Sequence, residues 1–142
     1  LIHRGSLIFD ELIVAVLHNP EKDPLFTLEE RIGMLKEFTS HMENVRVDTF
    51  GGLLVDYARQ VQAKALLRGI RAISDYEYEL QMALMNRKLF PELETVFMMP
   101  AVSYSFVSSR LVKEIARLGG SVTGLVPKAV EERLLHKVNG KS

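Results

Sequence analysis

The sequence contains no cysteine. That excludes disulfides, thiolate metal sites and a cysteine nucleophile. There is no excess of either charge, since 18 basic side chains face 18 acidic ones. Such a balance argues against a nucleic-acid surface and leaves any phosphate recognition to a local cluster. No apolar run approaches the roughly 20 residues of a membrane span. The chain opens Leu1-Ile2-His3-Arg4, with neither an initiator methionine nor a signal-peptide pattern. Its histidines His3, His18, His41 and His136 form no ligand-spaced pair, so they give no metal site. What is present is ordinary for a globular protein: 142 residues, 47% hydrophobic and 25% charged. That length suits a single domain over residues 1–142 with one core. The composition is compatible with a cytoplasmic protein, and one that lacks the methionine is expected to extend upstream of Leu1.

Apolar patterning alternates between two periods along the chain. Leu1 to Phe9 reads as the end of a helix. Glu11 to Leu17 is a continuous β-rich run, as expected of a strand covered on both faces. A two-proline loop, His18 to Pro24, leads to a helix capped by Thr27, with Glu30 completing a capping box. Leu28, Ile32, Leu35 and Phe38 keep helical spacing. Val45 to Phe50 reads as a strand, Gly51-Gly52 as a turn, Leu53 to Val61 as a helix and Ala65 to Leu67 as a short buried strand. Ser74 to Leu89 is a long helix with Ser74 as its expected cap. Thr95 to Met99 is a strand, Ser108 or Ser109 caps a helix running to Leu118, and Pro127 to Val138 is a final amphipathic helix. Alternation of this kind predicts an α/β fold, with a doubly wound parallel sheet and helices on both faces. Ligands in such folds bind beyond the carboxyl ends of the strands.

Several strand-end segments carry chemistry. In Arg68-Gly69-Ile70-Arg71 two guanidiniums flank a glycine that permits close backbone approach, and arginine's planar fork suits phosphate. The competing reading is a loop whose arginines pair with Asp75 and Glu77. Tyr104 to Arg110 offers hydroxyls, an arginine and the free amides of a helix start, which together make an anion site. Its competing reading is an ordinary serine cap. Lys22 lies on the same side, in the loop after the first strand. Asp75, Glu77 and Glu79 suit the positive end of a helix dipole better than a metal. Met82, Met85 and Leu89 read as core or as a subunit contact.

In this order, Pro24-Leu-Phe-Thr-Leu-Glu-Glu-Arg31, Leu67-Arg-Gly-Ile-Arg71, Asp75-Tyr-Glu-Tyr-Glu79, Met85-Asn-Arg87, Pro91-Glu-Leu-Glu94, Ser105-Phe-Val-Ser-Ser109 and Leu111-Val-Lys-Glu114 resemble the bacterial phosphopantetheine adenylyltransferases over nearly the whole chain. The resemblance implies a cytoplasmic homohexamer of coenzyme A biosynthesis that uses Mg²⁺. It would transfer the adenylyl group of ATP to 4′-phosphopantetheine, with dephospho-coenzyme A or coenzyme A bound as product or inhibitor, and with no nucleic acid or membrane partner. Lys22, Leu54 and Arg68 would contact phosphopantetheine. Gly69, Ile70, Arg71 and Glu79 would belong to the ATP site, together with Tyr104, Ser105, Phe106, Val107, Ser108, Ser109 and Arg110. Lys22 and Arg71 would carry catalytic charge stabilisation. Asn86 would lie near the pantetheine arm. Arg110 departs from the family's usual third serine.

The family's first strand and its histidine-containing phosphate motif have no counterpart here, and the helix Leu1 to Phe9 matches the family's segment just downstream of that motif. In a Rossmann-like sheet ordered 3-2-1-4-5 that strand is central. Without it, strands Glu11–Leu17 and Ala65–Leu67 would present unpaired backbone in the core, at about 1–3 kcal/mol for each orphaned group. That is large against a total stability of about 5–15 kcal/mol. The strand and the principal catalytic histidine are therefore expected upstream of Leu1. Two alternatives keep the fold: an adenylyltransferase with another acceptor, such as nicotinamide mononucleotide, or a non-catalytic nucleotide or coenzyme A binding module.

Overall fold

A computed structural model describes residues 1–19 and 24–140. The elements run α1 (Ile2–Ser6), β1 (Leu12–Leu17), α2 (Leu28–Thr39), β2 (Val45–Phe50), α3 (Leu54–Gln60), β3 (Ala65–Gly69), α4 (Ile73–Leu89), β4 (Glu94–Met98), a 3-10 turn (Val102–Tyr104), α5 (Ser109–Arg117) and α6 (Lys128–Asn139). They fall into two compact units, Leu1–Pro100 and Ala101–Ser142.

The first unit holds the strands, and all pairing is parallel. β1 lies beside β2, in register from Leu12 opposite Val45 to Leu17 opposite Phe50. β3 lies beside β4, from Ala65 opposite Glu94 to Gly69 opposite Met98. The α/β class with parallel strands is thus what the alternating pattern predicts. Among the described residues no ladder joins β1 to β3, so there are two two-stranded sheets. α1 touches strands of both. A Cβ added at its buried Gly5 would lie 2.7 Å from Leu67 Cδ2 and 3.2 Å from Leu12 Cδ2. Asn44 Nδ2 ties the far end of α1 by donating to the carbonyls of Ser6 at 2.8 Å and Phe9 at 2.9 Å. Arg4 donates to the carbonyl of Met99.

Local chemistry explains two of the element starts that frame the first unit. Thr27 Oγ1 accepts from the Glu30 amide at 3.2 Å and the Glu30 carboxylate accepts from the Thr27 amide at 2.7 Å, which is the expected capping box. At Gly52 φ is +77°, a left-handed conformation suited to glycine, and it turns the chain from β2 into α3. α3 buries Val55 and Ala58 in a cluster with Leu93, joined by Ala63, Leu66 and Phe90. Burial of a side chain the size of Leu93 contributes about 1.5–3 kcal/mol.

Three boundary differences bear on the site, and others of one to three residues occur at the ends of α1, β1, α3, α5 and α6. β3 runs two residues further, so Arg68 and Gly69 are strand residues. β4 starts at Glu94, one residue early. α4 begins at Ile73 with Ala72 as its N-cap, so Ser74 does not open the helix.

In the second unit, Ser108 caps α5 by accepting from the Leu111 amide at 3.2 Å. α5 packs on α6, and Val112, Ala116, Val122 and Leu134 are buried. Among the described residues no helix is long and apolar enough to cross a membrane.

Candidate nucleotide and phosphate site

β3 delivers Arg68 and Gly69 at its carboxyl end, and the chain then passes through buried Ile70 to Arg71 before α4. Both arginines are engaged by the first turns of α4. Arg68 Nε donates to Glu79 Oε2 at 2.8 Å and Nη2 donates to Oε1 at 2.5 Å. Arg71 Nε donates to Asp75 Oδ2 at 3.1 Å, and its backbone amide donates to the same oxygen at 3.3 Å. The expected pairing of Arg71 with Asp75 is therefore present. The partner of Arg68 is Glu79, not Glu77. Helix geometry gives the reason: residues 75 and 79 are four apart and share a face, while residue 77 points away from it. That spacing is available in the sequence once the helix is placed.

These pairs shape the electrostatics. The Arg71 side chain, donating to Asp75, holds that carboxyl below its ordinary range. Glu79, by hydrogen bonding, raises the Arg68 guanidinium above its ordinary value, against an opposing effect of burial. Glu79 is buried while Arg68 is about half-exposed, so the carboxylate is inside and the cation outside.

Gly69 is paired opposite Met98 and has no positive φ, and a Cβ there would make only ordinary contacts, the nearest at 3.5 Å to Leu1 Cδ2. The fold itself does not demand glycine there. Asn86 is buried on the same face of α4 as Glu79. That inner stripe reads Glu79, Ala83, Asn86, Phe90, with two polar members. Beside it Tyr78, Met82, Met85 and Leu89 repeat at the same spacing and are all exposed. Met82, Met85 and Leu89 are thus not core of this chain. Leu54, half-buried, opens α3 just after the Gly52 turn.

Tyr104 to Arg110 belongs to the second unit. Tyr104 and Phe106 are exposed, Ser108 is the α5 cap, and Ser109 and Arg110 are its first two residues. A helix leaves its first four amides outside its own ladder. Ser108 Oγ takes that of Leu111, so the cap reading holds, and the Ser109 and Arg110 amides stay at the helix mouth. Lys22 lies outside the described residues. Among the described residues no group of three His, Asp or Glu gathers as a metal site.

Parallel strands with arginines at a strand end are the layout of a nucleotide-handling α/β domain, and residues 1–115 match the family model for cytidylyltransferase-like proteins. A phosphopantetheine adenylyltransferase of Caldanaerobacter subterraneus subsp. tengcongensis is 55% identical over 137 residues, covering 96% of this chain and 86% of that one. One from Desulfatibacillum aliphaticivorans is 54% identical, covering 97% and 79%. Another, from Dictyoglomus turgidum, is 51% identical, covering 99% and 88%. The chain belongs to the cytidylyltransferase-like family and, within it, to the phosphopantetheine adenylyltransferases.

Proposed function

We propose that the protein transfers the adenylyl group of ATP to 4′-phosphopantetheine, in the cytoplasm, as a step of coenzyme A formation. A phosphate oxygen of the acceptor forms a bond to the α-phosphorus of ATP. The bond from that phosphorus to the bridging oxygen breaks, and pyrophosphate leaves with the electron pair. Dephospho-coenzyme A is the other product. No covalent enzyme intermediate is needed, so the protein's task is positioning and charge stabilisation.

The observation that carries this reading is the β3 terminus, where two arginines are each held by an α4 carboxylate within a stretch that belongs to this family. Arg68 orients the acceptor phosphate, with Lys22 on the same phosphate and Leu54 against the pantetheine arm. Arg71 binds the ATP phosphates. Gly69 leaves room for the nucleotide at the strand end, beside Ile70. Asn86 serves the pantetheine side. Tyr104, Ser105, Phe106, Val107, Ser108, Ser109 and Arg110 form a second ATP-binding segment, with backbone amides at the start of α5 as its donors. Arg110 contributes charge where relatives would offer a hydroxyl. Mg²⁺ suits a site without a carboxylate cage, because it is commonly held through substrate phosphates and water. When bound it would neutralise phosphate charge.

The exposed stripe Tyr78, Met82, Met85 and Leu89 supports assembly into a homohexamer, because apolar residues at helical spacing outside the fold call for a covering surface. Pyrophosphate release tests the reaction, with ATP plus 4′-phosphopantetheine or ATP plus nicotinamide mononucleotide. Turnover only with the first supports this reading. Turnover only with the second replaces the acceptor, and binding without turnover makes the protein a binding module.

A further inference from the structure

Glu79 uses both carboxylate oxygens on one edge of the Arg68 guanidinium, the edge formed by Nε and Nη2. A guanidinium carries five N–H donors in a rigid plane. Two are spent on Glu79, which leaves one donor of Nη1 and one of Nη2 side by side on the adjacent edge, with the second Nη1 hydrogen directed toward Cδ. Among the described residues no other side chain or carbonyl accepts from Arg68. The two partners are unequally placed, Glu79 at 11% side-chain exposure and Arg68 at 46%. An incoming anion can reach the cation, while the carboxylate sits behind it.

We propose that Glu79 is a positioning residue for the acceptor phosphate, fixing the Arg68 guanidinium plane so that its remaining edge receives a phosphate monoester by two parallel hydrogen bonds. This rests on the assignment of Arg68 to phosphopantetheine, and it gives Glu79 a role beside the ATP contact that the resemblance implies. Two effects of the carboxylate oppose each other. Its negative charge weakens the attraction of Arg68 for phosphate. Its hydrogen bonds hold a long, multiply rotatable side chain in one orientation, so less freedom is lost on binding. If charge dominated, removing the carboxylate would tighten acceptor binding. If orientation dominates, removal weakens it. A bidentate contact at fixed geometry favours orientation.

Titration calorimetry separates these on the full chain, with 4′-phosphopantetheine alone and with ATP alone, for wild type, Arg68→Ala, Glu79→Gln and the double variant. Each single variant should weaken phosphopantetheine binding about tenfold, roughly the loss of one good contact. The double variant should bind no more weakly than Arg68→Ala, and Arg68→Ala should leave Kd for ATP within about twofold. Tighter phosphopantetheine binding by Glu79→Gln, or weakened ATP binding with the acceptor unaffected, overturns the proposal. Should Glu79→Gln fail to fold, Glu79→Asp keeps the charge but falls one methylene short of the Arg68 guanidinium, and wild-type acceptor affinity in that variant overturns it equally. Wild type that does not bind phosphopantetheine overturns the proposed function itself, a result distinct from any failure of Glu79.

Discussion

The Tyr57 hydroxyl donates to Asp48 Oδ2 at 2.7 Å, tying α3 to the strand that precedes it, while its ring stacks on Phe50 with centroids 4.9 Å apart. Burial, and then the hydrogen bond to Asp48, push the Tyr57 phenol from its ordinary 10.0 up to about 12. The same bond, first among several causes, holds the Asp48 carboxyl below its ordinary range. An unfolded chain gives up the tyrosine proton near pH 10, and the folded chain keeps it until about 12. Between those values the unfolded state binds fewer protons, so stability falls as pH rises, at most by about 1.4 kcal/mol per pH unit. Tyr57→Phe should abolish this alkaline loss and remove the highest-pH component of the tyrosinate absorbance rise. An absorbance titration unchanged by the substitution would remove Tyr57 as its source.

Arg71→Ala should lower turnover by about 10²–10³, the scale of losing one donor aimed at developing charge. The fold should persist, because Arg71 is exposed, its partner Asp75 is only partly covered, and such surface pairs contribute little stability. Thermal unfolding and steady-state kinetics on one preparation check both halves, and unchanged kinetics would take Arg71 out of the site.

Gly5 of α1 meets Leu67 and Leu12 so closely that substitutions there should divide by size. Gly5→Ala gains helix propensity, about 1 kcal/mol. Displacing the mobile end of Leu67 costs about the same, so the net change should be small. Gly5→Leu has no such offset and should destabilise by about 3 kcal/mol. Urea unfolding measures both, and equal midpoints for the two variants would mean that α1 is not seated there.

If the proposed homohexamer forms through the exposed stripe of α4, the paired substitutions Met85→Glu and Leu89→Glu place charge there and should split it into smaller species. Sedimentation velocity reads this directly. Wild type and variant sedimenting alike would move the subunit contact elsewhere.

Much of this architecture is legible in the sequence because periodicity reports which faces are covered. The capping box at Thr27 and the run Leu12–Leu17 can be placed from spacing alone. The start of α4 cannot. Ser74 has the chemistry of a cap, yet the helix opens one residue before it from Ala72, which offers no capping side chain. The arginines stand out in the sequence as cations suited to phosphate, but their partners depend on helical phase, and composition points to Glu77 where the fold uses Glu79. Nor can spacing tell that α4 buries Glu79 and Asn86 while exposing Met85 and Leu89. A residue's hydrophobicity gives its usual side, and here the polar members face inward.

Gly5 brings α1 close to both strand pairs, to Leu12 of β1 and Leu67 of β3, through a residue whose side chain is a single hydrogen. The bulk of residue 5 therefore sets how closely one short helix holds β1 and β3, so a single added side chain would be felt in both strand pairs at once.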